Sequence, residues 1–259
     1  MYTVRPGKAS WALQTLLRLC RGLRLRLYSP PYVRGLMSSP PTVVVLDLDR
    51  TVTRAGTFTP FLLHCTPLGL TLALRTLQGL LAVFAYGAGS GTRGSLKARL
   101  LDLSIAGASR AQVQSWSATF VRRWAQTHIR PGALLAIARH RAAGDYLVLA
   151  TASFDFYAQA FAEYLGINHT IATASAWDDG GRLRAALIGE NCYGAAKLAA
   201  VQTYVARFPE PRHVVAYSDH STDLALLRWA NEGVAVNPNG ELRRLAPAHN
   251  LTVVNWDLI

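Results

Sequence analysis

Thr42-Val43-Val44-Val45-Leu46-Asp47-Leu48-Asp49-Arg50-Thr51 is the stretch on which the fold turns. Val43 to Leu46 is an unbroken apolar run, mostly β-branched. Such a run suits a strand covered on both faces of a parallel sheet, where no alternation with polar residues is needed. Pro40 and Pro41 lie just before it, outside any ladder. Two carboxylates follow at once, Asp47 and Asp49, at the end of the predicted strand.

Outward from this point the pattern repeats. Similar apolar runs stand at Tyr146–Ala150, His213–Tyr217 and Gly233–Val236, and Leu251–Trp256 reads as a final edge strand. Helical patterns separate them at Pro131–Ala143, Asp155–Leu165, Ala195–Phe208 and Leu224–Ala230. Strand alternating with helix implies an α/β fold with a doubly wound, mostly parallel, Rossmann-like sheet. A hairpin is expected within Ile171–Ile188, turning at Asp178-Asp179-Gly180-Gly181.

Residues 57–130 break the alternation and read as helix after helix, punctuated by Pro67 and the Gly-rich stretch Gly87–Gly94. The expected organisation is a catalytic core over 42–56 and 131–259, with a helical cap over 57–130 inserted in it. Leu68–Tyr86 is strongly apolar but carries Arg75 and Gln78 near its middle. A central arginine costs a few kcal/mol in a bilayer. We therefore expect a buried cap helix here rather than a span, with an interfacial helix as the second reading.

The chain is 51% hydrophobic and 16% charged over 259 residues, a globular composition rather than a disordered one. Its formal charge is +12, but residues 1–41 hold seven basic side chains and no acid, which leaves +5 for the remainder. No basic run interleaved with aromatics occurs in that remainder, so no nucleic acid is expected as a partner. The basic extension has three readings: an amphipathic helix on anionic lipid, a targeting peptide, or residues outside the mature chain, which would then start at Met37. Cys20, Cys65 and Cys192 form no pair or zinc pattern, and His64, His128, His140 and His169 lack ligand spacing. A cytoplasmic location follows, with peripheral contact at the inner face of the membrane as the second reading.

Four motifs fall at the carboxyl ends of predicted strands or the start of a helix, where ligands of open α/β sheets bind. They are Asp47-Leu48-Asp49-Arg50-Thr51, then Thr151-Ala152-Ser153, then Lys197, then Asp219 with Asp223. Ser221 or Thr222 is the expected cap of the helix after the last of them. In this order they resemble the haloacid dehalogenase superfamily of phosphohydrolases, over about residues 42–259. The position of the insert resembles subfamily IB, the type to which phosphoserine phosphatases belong. The resemblance implies a Mg²⁺-dependent phosphatase working through an aspartyl-phosphate; the alternatives are a phosphotransferase passing that phosphate to another acceptor and a non-catalytic phospho-acceptor or scaffold. Asp47 would be the nucleophile and Asp49 the general acid and base. Asp47, the main-chain carbonyl of Asp49, and Asp219 would bind Mg²⁺, which prefers oxygen ligands. Thr151, the Ala152 amide and Lys197 would hold the phosphate, with Thr51 and Asp223 in support.

Three positions depart from the pattern. Arg50 stands where a small residue is usual, and Ser218 where glycine is usual. Residues 52–63 contain no acid, whereas phosphoserine phosphatases carry a glutamate near Gly56 for the substrate ammonium. The apolar Leu68–Tyr86, the TFTPFLL segment and the ending VNPNGELRRLA instead resemble bacterial phosphatidylglycerophosphatases of the C type. The substrate is thus expected to be a phosphorylated small molecule or a lipid head group. Arg93, Lys97 and Arg99 are candidates for contact with anionic lipid.

Overall fold

The computed structural model describes residues 41–66, 70–87, 89, 92–208 and 212–258. The basic extension, Pro67 and the side chains of Arg75 and Arg93 lie outside the described residues. Val43–Leu46 forms β1 at the centre of a seven-stranded sheet. Its companions are β2 (Tyr146–Phe154), β3 (His169–Trp177), β4 (Leu183–Ile188), β5 (Val214–Ser218), β6 (Glu232–Val236) and β7 (Thr252–Val254). The order is β4-β3-β2-β1-β5-β6-β7, and every neighbouring pair is parallel except β3–β4.

The apolar run of β1 has the physical meaning its sequence suggests. Val44 and Leu46 enter one core cluster, Val43 and Val45 the other. Successive strand residues face opposite sides, so all four are buried, none more than 1% exposed. Burying each such side chain contributes about 1.5–3 kcal/mol. One face is covered by α5 (Pro131–Ala142) and α6 (Asp155–Leu165), the other by α7 (Ala195–Val205) and α8 (Leu224–Trp229). The hairpin forms as expected: Arg182 N donates to Asp178 Oδ1 at 2.8 Å, closing the turn between β3 and β4. β7 is the edge strand expected at the C-terminal end.

Between β1 and β2 lie α1 (Phe58–Cys65), α2 (Leu70–Gly87), α3 (Arg93–Asp102) and α4 (Arg110–His128). This insert shares a core with the sheet. Phe61 of α1 stacks on Tyr157 of α6 at 4.7 Å and meets Phe120 of α4 edge-on at 5.4 Å. Residues 40–259 accordingly form one compact unit.

Three expectations are corrected. Among its described side chains α2 is not buried: Leu77, Leu80, Leu81 and Phe84 are 56–77% exposed. It packs against α3, with Gly79 close to Leu100, and nothing in the described residues covers its other face. No helix of the described residues is long and apolar enough to cross a membrane. β2 runs on to Phe154 instead of ending at Ala150, because an irregularity between these residues lets the chain stay extended through Thr151–Ser153. The turn at Ser221–Asp223 is capped by His220, whose side chain accepts from Thr222 N, and not by Ser221 or Thr222.

Candidate active site

Asp47 is the first residue past β1, and its amide still donates to Tyr217 O of β5 at 3.0 Å. Its carboxylate therefore sits at the carboxyl edge of the sheet between β1 and β5. The chain then coils through Leu48–Val52, with Val52 N and Thr53 N returning to Asp47 O and Leu48 O at 3.3 and 2.9 Å. The coil requires a left-handed residue, and Arg50 supplies it at φ 64°. A side chain there costs on the order of 1–2 kcal/mol. Arg130, itself buried, holds the strained turn by donating from Nε and Nη2 to Arg50 O at 3.2 and 3.1 Å. Arg130 also pairs with Asp257, which binds Arg54 at 2.9 Å.

Asp47, Lys197 and Asp223 form a buried chain of charges. Lys197 Nζ donates to Asp47 Oδ1 at 2.8 Å and to Asp223 Oδ2 at 2.7 Å. Lys197 is 2% exposed, in the first turn of α7. Burial alone would lower its pKa, but Asp47 and Asp223 overcome this and hold it above the ordinary lysine value. Burial pushes Asp47 up to about 7; Lys197 opposes the shift, and the negative charges of Asp223 and Asp219 add to it. Burial also raises Asp219, against the hydrogen bond from Thr51. Thr51 links the two acids: its hydroxyl lies 2.9 Å from Asp47 Oδ2 and 3.2 Å from Asp219 Oδ1, and accepts from Asp219 N at 3.0 Å.

Asp49 is placed differently. Its Oδ1 accepts from the amide and hydroxyl of Thr57 at 2.6 and 2.7 Å, and its Oδ2 from Ser153 Oγ at 2.9 Å. Ser153 N in turn donates to Thr151 Oγ1 at 3.0 Å, within the irregular last part of β2. Asp47, Asp49, Thr151, Ala152, Lys197, Asp219 and Asp223 all line one cavity of about 580 Å³. Thr51 lies beneath it. A groove of similar size, about 620 Å³, between α4, α6 and β3 holds none of the sequence-predicted residues.

The structure adds residues that sequence reasoning missed. Lys97, read as a lipid-contact candidate, reaches the cavity instead; its Nζ donates to Ala152 O and, at 2.7 Å, to Asn191 Oδ1. Arg99 is an exposed helix charge paired with Asp102 at 3.0 Å. Thr57, Asn191, Tyr193 and Arg130 carry no motif that could have singled them out. Among the described residues no three His, Cys, Asp or Glu side chains converge as a metal cage. The all-oxygen set of Asp47 and Asp219 still suits Mg²⁺, which takes one or two carboxylates and keeps waters. Two acids raised by burial gain from a cation, and the buried Asp223 Oδ1 has no hydrogen-bond partner.

Residues 44–228 match the profile of the haloacid dehalogenase-like hydrolases. The chain belongs to this family. As a haloacid dehalogenase-like hydrolase it is similar to Protein CicA of Caulobacter vibrioides, 30% identical over 198 residues, 76% of this chain and 87% of that one. It is 26% identical over 152 residues to a histidinol-phosphatase of Neisseria meningitidis, 57% of this chain and 68% of that one. Among solved structures, a Bordetella pertussis protein of unknown function shares the fold with a TM-score of 0.75, at 24% identity over 84% of this chain and all of that one. This hydrolase is an enzyme of the phosphatase type.

Proposed function

We propose that the chain hydrolyses phosphomonoesters through an aspartyl-phosphate on Asp47. The observation that carries this reading is the buried Lys197, which joins the Asp47 carboxylate at the carboxyl edge of β1 and stays charged there. An oxygen of Asp47 attacks phosphorus and the bond to the leaving oxygen breaks. Asp49 protonates that oxygen, then takes a proton from the water that cleaves the aspartyl-phosphate. Thr57 and Ser153 fix where its carboxyl group stands. Lys197, the Thr151 hydroxyl and the Ala152 amide hold the phosphoryl oxygens. Asp47, Asp219 and the Asp49 main-chain carbonyl would hold Mg²⁺, which neutralises charge on the phosphoryl group. Asp223 orients Lys197, and Thr51 fixes Asp47 against Asp219.

The test is phosphate release from p-nitrophenyl phosphate with Mg²⁺. Asp47→Asn should lower turnover on the order of a thousandfold or more, and a chelator should do likewise. Undiminished turnover by Asp47→Asn would sink the mechanism.

A specific observation favours a phospholipid head group, such as that of phosphatidylglycerophosphate, over phosphoserine. An apolar groove of about 170 Å³, lined by Leu62, Leu80, Val83, Leu100 and Leu103, shares Thr59 with the active-site cavity. The exposed apolar face of α2 continues it outward. Gly56 lines the cavity, and residues 52–63 bring no carboxylate to it. Peripheral contact with the cytoplasmic face of a membrane would bring such a substrate in. Faster turnover of micellar phosphatidylglycerophosphate than of phosphoserine, reduced by Leu80→Asp, is the expected outcome; the reverse preference removes the lipid reading.

A further inference from the structure

The connection between β4 and α7 brings Asn191 to the active-site cavity, and two neighbours fix how its amide stands. Lys97 Nζ lies 2.7 Å from Asn191 Oδ1, and Thr173 Oγ1 of β3 lies 3.0 Å from the same atom. An ammonium only donates, so the atom it meets is the carbonyl oxygen, and the NH₂ group points the other way. The main chain keeps the amide there: Tyr193 N donates to Asn191 O at 2.7 Å, and Cys192 N to Thr173 Oγ1 at 3.0 Å. Thr173 Oγ1 also lies 2.8 Å from Ala152 O. Asn191 is thus one side chain away from the segment that would hold the phosphoryl group.

Nδ2 of Asn191 donates to none of the described residues and is not sealed off among them. Asn191 lines two spaces, the active-site cavity and an adjoining cleft of about 680 Å³ between α3 and β4. Its N–H bonds are therefore open to a ligand where the two meet. A site built to hydrogen-bond a substrate oxygen rejects the analogue that lacks it. Glu190 lines the cleft beside Asn191. Its charge disfavours an anionic acceptor there. A hydroxyl suits both neighbours, since it accepts from an amide and can donate to a carboxylate.

We infer that the Asn191 amide selects the substrate by donating to a hydroxyl oxygen on the alcohol that leaves. Preferred substrates are phosphomonoesters of polyhydroxy alcohols, ahead of simple alkyl phosphates. The inference rests on the phosphatase reading above and names its substrate class.

The experiment compares kcat/KM of the full chain with Mg²⁺ for glycerol 3-phosphate and n-propyl phosphate, which share a carbon chain and differ by the hydroxyls. The wild type should prefer glycerol 3-phosphate by roughly three- to tenfold, the worth of one neutral hydrogen bond. Asn191→Leu should bring that ratio toward one. Asn191→Asp keeps an oxygen for Lys97 and Thr173 and puts a second where the NH₂ group stood, so it carries the test where Asn191→Leu fails to fold. It should raise the rate of phosphoethanolamine, which offers an ammonium, relative to glycerol 3-phosphate. An equal loss on both substrates in Asn191→Leu, with the wild-type ratio retained, would show that Asn191 only anchors Lys97, and overturn the inference. So would a wild-type ratio near one. A wild-type preference for phosphoethanolamine over glycerol 3-phosphate would give the selection to Glu190 and overturn it likewise. If the wild type turns over neither substrate, calorimetric binding separates the two levels. Tighter binding of glycerol 3-phosphate than of n-propyl phosphate, lost in Asn191→Leu, keeps the role of Asn191 and sinks the hydrolytic reading; equal binding overturns Asn191.

Discussion

Lys197 persists as a cation with 2% of its surface exposed because two carboxylates stand within 2.8 Å of its Nζ. Breaking a buried ion pair by removing one partner leaves the other charge uncompensated, at a cost of about 3–5 kcal/mol. Lys197→Met should therefore lose stability of that order in urea denaturation, besides losing turnover; a change below 1 kcal/mol would mean that Asp47 and Asp223 are already relieved by solvent. The cysteines illustrate burial without such compensation. Burial pushes the Cys65 thiol up to about 12 and Cys192 to about 11. A raised thiol pKa means less thiolate, the reactive form. At pH 8 iodoacetamide should leave both residues unmodified in the native chain and label them once the chain unfolds, as read by peptide mass mapping.

At the scale of elements, the coil after β1 is the part under strain. Arg50 at φ 64° is held through its carbonyl by Arg130, which begins the segment leading into α5. The insert leaves and returns at this point: Thr53 bridges to Ile129, and Arg130 N donates to Val52 O at 2.9 Å. Arg130→Gln removes the two-point grip on the coil that carries Asp47 and Asp49. A displacement of about 1 Å costs up to a hundredfold in rate. The expected result is a fall in kcat of ten- to a hundredfold with KM little altered, partly restored in Arg130→Lys. A fall in melting temperature with kcat intact would show that Arg130 serves the fold alone. The sequence contained this arginine in plain view, but no local pattern says that its partner is a carbonyl eighty positions earlier.

Across the whole molecule the C-terminal segment closes the structure around the same coil. Trp256 is buried, Gly132 N donates to Trp256 O at 2.9 Å, and Asp257 binds both Arg54 and Arg130. Gly132 has no room for a side chain: a Cβ would lie 2.6 Å from the Trp256 ring and 2.7 Å from its Cα. Gly132→Ala should destabilise by about 1–3 kcal/mol, the usual cost of overpacking. Calorimetric unfolding would show it, and an unchanged midpoint would mean that residues 256–258 detach without consequence. The exposed face of α2 belongs to this scale as well, since it marks where the compact unit has not covered its own apolar surface.

The sequence by itself determined the doubly wound sheet, because a run such as Val43–Leu46 is stable only when both faces are covered, and that requirement is local. It also determined that Asp47, Thr151, Lys197 and Asp219 gather at one edge, since each lies in or just past the carboxyl end of a strand or opens a helix, and parallel strands bring their carboxyl ends together. Tertiary structure alone decided the rest. Lys97 turns inward instead of toward lipid because α3 packs on β4, and Asp49 is set by Thr57 and Ser153 because β2 stays extended beyond Ala150. α2 is apolar by composition, yet its exposure depends on which neighbours the insert supplies. Periodicity records how much of an element is buried; it does not record the partner that buries it.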